Sequence, residues 1–232
     1  MKHRRQMMDK YSGDEKILSY NDVVIRRSDL SILSGPYFLN DRIIEFYFSY
    51  LSSSFPTEDV LLVTPPISFW IANCPDPDDL RGFVAPLKLD ERSLVIFSVN
   101  DNDDVEKAEG GSHWSLLAYV REANLFVHHD SSGTMNEACA RRLYGAVARC
   151  LSIPAAKFMR WNRSPQQTNG YDCGLFVTAT ARAICDWFVN TECKDWEESL
   201  WFRAVEEKVT APAAAGMRNE ILELIKHLMV TK

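Results

Sequence analysis

Runs of apolar residues alternate with short polar breaks along the chain, and the spacing inside each run predicts its form. Ile17 to Tyr20 reads as a short strand. In "NDRIIEFYFSYL", Ile43, Phe46, Tyr47, Tyr50 and Leu51 recur at helical spacing on one face, with Asn40 or Asp41 as the N-cap. "VLLVTP" reads as a strand, "PISFWIAN" as a short helix and "NCPDPDDLRG" as a loop. "SLVIFSV" is an unbroken apolar run, which fits a strand buried on both faces. "HWSLLAYV" and "NLFVHHD" flank the polar "REA" and predict a hairpin. "NEACARRLYGAVARCL" predicts an amphipathic helix with Ala140, Leu143, Val147 and Leu151 on one side, and "KFMRW" a further strand. "CGLFVTATARAICDWF", "EESLWFRAVEEKV" and "AGMRNEILELIKHLM" complete the chain as helices. Helices before, between and after the strands of a mixed sheet make an α+β layout. With no repeat and no low-complexity linker, one domain over residues 17–232 is expected, behind a flexible polar tail over residues 1–16.

Composition narrows the function. The chain has 232 residues, 46% hydrophobic and 25% charged, with a net charge of -6. That is ordinary for a soluble globular domain. No Lys/Arg-rich stripe is present, which argues against nucleic acid or an anionic membrane as partner. The first sixteen residues lack the apolar core of a secretory leader, and no later run is long enough to span a bilayer. A cytoplasmic or nuclear protein is expected, and nothing in the sequence signals oligomerisation, so a monomer. The six cysteines, Cys74, Cys139, Cys150, Cys173, Cys185 and Cys193, include no CxxC pair and no zinc-site spacing. No metal or cofactor is called for. "HHD" is at most half of a metal site, lacking a third ligand at a sensible spacing.

One cysteine stands apart. In "QQTNGYDCGLFV", Cys173 lies where a polar loop gives way to a helix. A helix N-terminus and a nearby imidazolium both lower a thiol pKa from its ordinary ~8.5. Of the five histidines, His113 in "GGSHW" has the most suggestive setting, since two glycines free the backbone to place a strand end. If Tyr119 pairs with Asn124 across a loop from Val120 to Ala123, His113 falls opposite Asp130 and on the same sheet face. That is the orienting carboxylate of a Cys-His-Asp triad. A one-residue slip would separate the two. The backbone N–H of Cys173 and the side chain of Gln167 are candidate oxyanion donors. Alone, a strand His or Asp is usually structural and a cysteine a small core hydrophobe. The combination favours chemistry.

"GGSHWSLL", then Asp130, then "QQTNGYDCG" resemble the Ulp/sentrin-specific cysteine protease family, and "FLND" near residue 40 is similar to that family's WLND motif. "LSYNDVVIRRSDLSIL", "NDRIIEFYF", "APLKL", "NDND" and "GGSHWSLLAYV" look most like its deneddylase branch, which processes modifiers of the Nedd/Rub type. The resemblance implies a papain-like architecture. His113 would be the base, Asp130 its orienting partner, Cys173 the nucleophile and Gln167 the oxyanion donor. It further implies that Trp114 lies over the modifier's terminal glycines, with Phe38 as the opposite wall where the family has Trp. Asp41 would contact the modifier or only cap a helix. The loop "NDNDDVEKAEGG" would close over the modifier, and conjugates such as cullins would be substrates. SUMO or ubiquitin as modifier, an acyltransferase and a non-catalytic modifier-binding module are the rival readings.

Overall fold

The computed structural model describes residues 14–107, 110–191 and 200–231. A small antiparallel ribbon comes first, β1 (Lys16–Tyr20) with β2 (Val23–Arg26), leading directly into α1 (Arg27–Leu33). The tail expected over residues 1–16 falls mostly outside the described residues, but its boundary moves. Lys16 is already in β1, the Ser28 hydroxyl and N–H donate to the Asp14 carboxylate, and Arg27 pairs with Glu15 at 2.5 Å.

The long helix α2 (Asp41–Ser54) is capped by Asn40, whose side chain accepts the Ile43 N–H at 3.1 Å. The Asn40 amide also donates to Asp29 at 2.7 Å. The buried Asp29 accepts in addition from the Arg26 N–H and pairs with Arg42 at 3.0 Å. The ribbon, α1 and the start of α2 are thereby tied through one carboxylate whose charge is compensated.

The main sheet runs β3 (Val60–Val63), β4 (Leu94–Asn100), β5 (Trp114–Val120), β6 (Leu125–His129), β7 (Lys157–Arg160), in that spatial order. The outer pairs are parallel and the inner pairs antiparallel. Helices cover both faces. Leu94, Ile96, Leu116, Ala118 and Val127 pack against α2, α6 (Cys173–Asn190), α7 (Phe202–Lys208) and α8 (Ala211–Thr231). Val95, Phe97, Leu117 and Phe126 pack against α3 (Pro65–Asn73), α4 (Pro77–Val84) and α5 (Glu137–Cys150). Coverage on both sides explains why β4 and β5 read as unbroken apolar runs.

Two expectations need correction. "NCPDPDDLRG" is not all loop, because its second half is α4. Asp76 caps that helix by accepting the Asp78 and Asp79 N–H groups, and Pro77 occupies the first turn, where a missing N–H costs nothing. The hairpin register differs too. Val120 pairs with Leu125 and Leu116 with His129, so the turn spans residues 121–124 and Asn124 takes a positive φ of 44°. Asp130 therefore falls opposite Ser115 and not His113. The difference is two residues, which keeps every side chain on its expected face.

Of the "HHD" residues, the two histidines serve the core. His129 Nε2 accepts from Trp201 Nε1 at 2.9 Å, and its Nδ1 lies 3.1 Å from Ser164 Oγ, whose hydroxyl donates to the Trp161 carbonyl. Those partners require a neutral ring with its proton on Nδ1, and burial holds its pKa down to about 3. His128 lies 2.9 Å from Ser115 Oγ and is also kept neutral by burial, at about 4. Replacing Trp201 by Phe leaves His129 Nε2 buried without a donor. Urea unfolding of Trp201→Phe is expected to show a loss of about 1–3 kcal/mol at an unchanged m-value.

Candidate active site

Three segments converge at one end of the sheet. His113 immediately precedes β5, Asp130 immediately follows β6, and Cys173 is the first residue of α6. His113 Nε2 lies 2.7 Å from Asp130 Oδ1, and both side chains are buried. Cys173 is the imidazole's other electrostatic partner, and with Nε2 turned to Asp130 the remaining ring nitrogen is Nδ1. The backbone N–H groups of a helix's first turn have no acceptor within the helix, so the sulfur also sits at a partial positive charge.

The electrostatics favour a charged imidazole. Burial pulls the His113 pKa down, but hydrogen bonds to Asp130 and Cys173 and their charges outweigh it and raise it to about 9. Burial likewise pushes the Asp130 carboxyl up. Its hydrogen bonds from His113 and from the Asn136 and Ser132 N–H groups dominate and hold it below the usual range. Burial, helped by the charge of Asp186, pushes the Cys185 thiol up to about 12, leaving it inert at neutral pH. Cys139 and Cys150 are also pushed up, chiefly by burial, and Cys193 lies outside the described residues.

The residues around the triad are built into the backbone. Asp101 Oδ1 accepts the N–H groups of Ser112 at 2.6 Å and His113 at 3.0 Å, and Oδ2 accepts the Ser112 hydroxyl. Asn100, Asn102 and Asp104 each accept the N–H two residues on, so the described part of "NDNDDVEKAEGG" is a chain of side-chain-closed turns ending on His113. Gly111 completes it at φ +85°. A Cβ there would fall 2.0 Å from Asn100 Oδ1. Asn136, fully buried, donates through Nδ2 to the Val99 and His113 carbonyls, while its N–H holds Asp130 Oδ2. Sequence reasoning missed Asp101 and Asn136 as supports of the histidine. The alternation of Asn and Asp before "GGSH" was the available signal for Asp101.

The remaining expected residues lie nearby. Gln167 is held by Ser131, next to Asp130: its N–H donates to the Ser131 carbonyl and its Oε1 accepts the Ser131 hydroxyl at 2.8 Å. Its Nε2 donates to the Asn169 carbonyl at 2.6 Å, leaving one amide hydrogen for another acceptor. Trp114 is buried and donates Nε1–H to the Leu39 carbonyl at 3.0 Å. Leu39 in turn lies on the start of α6, where a Cβ at Gly174 would come within 2.8 Å of Leu39 Cβ. Gly174 therefore lets the Phe38–Leu39 segment approach Cys173. Phe38 itself is 49% exposed. Asp41 and Trp114 share a cavity of about 320 Å³ with Trp70, Asn100, Lys107 and Cys139. Among the described residues no three His, Cys, Asp or Glu side chains cluster as metal ligands.

No family model matches the chain. Among curated proteins, NEDD8-specific protease 1 of Arabidopsis thaliana is 52% identical over 223 residues, covering 96% of this chain and 97% of that protein. The chain belongs to the Ulp/sentrin-specific cysteine protease family. Human sentrin-specific protease 8 is 34% identical over 77% of this chain and 85% of its own length. The solved Ulp1 protease domain in complex with Smt3, the yeast ortholog of SUMO, superposes with a TM-score of 0.63 at 20% identity, over 98% of this chain and 95% of that chain. The Xanthomonas campestris effector XopD bound to ubiquitin gives 0.60 at 18% identity, over 81% of this chain and 91% of that chain. These two likenesses establish the fold, the α+β layout that the sequence predicts and the papain-like architecture that the resemblance implies.

For His113 to protonate a leaving amine it must be charged, and Asp130 raises its pKa. In Asp130→Asn the imidazole loses its anionic partner, so its pKa falls and the alkaline limb of the pH–rate profile moves to lower pH. A wild-type limb near pH 9, a downshifted limb in the variant and a kcat loss on the order of 10³–10⁴-fold are expected from kcat/KM measured across pH 5–10.

Proposed function

We propose that the protein hydrolyses the bond after the C-terminal Gly-Gly of a NEDD8-type modifier, both in a precursor and in isopeptide conjugates on lysine. The observation that carries the chemistry is the buried His113–Asp130 pair, whose charged state Cys173 at the first turn of α6 also favours. The modifier is inferred from the 52% identity to the Arabidopsis NEDD8-specific protease across nearly the whole of both chains.

The proposed steps are these. The Cys173 thiolate, its proton held on His113 Nδ1, attacks the carbonyl carbon of the terminal glycine. The oxyanion is met by the Cys173 N–H and the second Nε2 hydrogen of Gln167. His113 then gives its proton to the departing amine as the C–N bond breaks, leaving a thioester. Water, deprotonated by His113, attacks the thioester and the thiol is restored. Asp130 stabilises the imidazolium and fixes the ring with Nε2 toward itself.

Specificity for glycine follows from shape. By the resemblance, Trp114, fixed by its hydrogen bond to Leu39, and Phe38 are the two walls of a slot. A chain without side chains enters such a slot and most others are excluded. Conjugates such as cullins come from the resemblance alone, and action as a monomer in a cytoplasmic or nuclear setting rests on the sequence expectations alone.

The test is a side-by-side panel of C-terminal amide substrates made from NEDD8-type modifier, SUMO and ubiquitin. The NEDD8-type substrate is expected to be cleaved fastest, and Cys173→Ala to bind it without turnover. Fastest cleavage of SUMO or ubiquitin would overturn the modifier assignment, and turnover by Cys173→Ala would overturn the nucleophile.

A further inference from the structure

We propose that Arg218, on the last helix, is a positioning residue that sets the glycine slot in register with the nucleophile. The proposal rests on the protease reading above and adds a residue to it. Arg218 projects from α8 into the seam between two segments far apart in sequence. Its Nη1 donates to the Ile32 carbonyl at 3.0 Å and its Nη2 to the Tyr37 carbonyl at 2.9 Å. Nη2 also donates to Asp172 Oδ1 at 2.9 Å. The guanidinium carbon stands 5.8 Å from the centre of the Tyr171 ring.

The two segments are the two sides of the site. Tyr37 immediately precedes Phe38 and Leu39, and Leu39 carries the acceptor for Trp114. Asp172 immediately precedes Cys173. Its second oxygen accepts from Asn169 Nδ2 at 2.8 Å, and Asn169 Oδ1 accepts the Tyr171 and Asp172 N–H groups, so the loop before the nucleophile is closed on itself. Arg218 is the group outside both segments that bonds to both. The ion pair is largely shielded, with side chains 14% and 6% exposed, so solvent and salt screen it weakly. It also leaves no uncompensated carboxylate beside the forming thiolate.

The chemistry explains the choice of arginine. Three acceptors on two segments need several N–H donors in a rigid plane, which guanidinium has. A lysine ammonium at the same place keeps the charge but cannot hold all three at this geometry. The expected consequence is a shift of the slot relative to the sulfur, with the triad itself untouched.

The experiment compares wild type, Arg218→Lys and Arg218→Ala in two reactions at 25 °C, with folding checked by circular dichroism. Alkylation by iodoacetamide needs only the His113–Cys173 pair. Cleavage of a NEDD8-type C-terminal amide needs the pair and the slot in register. Alkylation within about threefold of wild type is expected, with kcat on the modifier substrate down on the order of 10–100-fold and KM changed little. Arg218→Lys tests the proposal if Arg218→Ala does not fold. Unchanged cleavage by a folded variant, or alkylation falling in step with cleavage, overturns the positioning role. The modifier assignment fails separately: if wild type prefers SUMO or ubiquitin, the same comparison is made on that substrate. If wild type cleaves none of the three, the protease reading falls and this proposal with it.

Discussion

The site depends on an imidazole that is buried and yet charged. Burial alone would drive His113 neutral, as it does His128 and His129 on the adjacent strand. The difference is the Asp130 carboxylate 2.7 Å away and the thiol on the other side. Asp130 in turn stays ionised because backbone N–H groups of Ser132 and Asn136 share its charge. Three histidines in one region of the fold thus take two protonation states, and hydrogen-bond partners decide which. His129 meets a donor from Trp201 and is held neutral; His113 meets a carboxylate and is held charged.

Holding such a pair needs rigidity. Asp101 fixes the backbone at His113 from one side, and Asn136 joins the His113 carbonyl, the end of β4 and Asp130 from the other. Neither side chain need touch a substrate. Both stop the imidazole from drifting, and misplacement by about 1 Å can cost 10²-fold in rate. The fold places this cage at the ends of β4, β5 and β6, where the regular ladder gives out and side chains take over the backbone's hydrogen bonds.

Most elements were legible because the apolar residues repeat at the helix or strand period over long enough runs. β5, β6 and α6 are the clearest, and the chemistry sits at their ends. The hairpin register was read two residues off, because turn length depends on a left-handed Asn124 that hydrophobic alternation does not report. The face assignment survived because strand periodicity is two, so His113 and Asp130 still meet, diagonally. α4 was lost to the proline count of "NCPDPDDLRG", although an Asp–Pro pair is itself a helix start. Arg218 was not legible at all. Nothing local marks it among the charged residues of a helix, and its acceptors lie far away along the chain.

The Phe at position 38, where the family pattern has Trp, is tolerable on physical grounds. A Trp wall would have area and an indole N–H that Phe lacks. In this protein the backbone around residue 38 is located by other means. The Tyr37 carbonyl is bonded to Arg218, the Leu39 carbonyl to Trp114, and the Leu39 side chain rests on Gly174. Phe38, half exposed between these fixed neighbours, needs no hydrogen bond of its own to keep its place. Trp114 is buried and bonded, whereas Phe38 is half exposed. The departure from the pattern therefore leaves the contacts of His113, Asp130 and Cys173 alone.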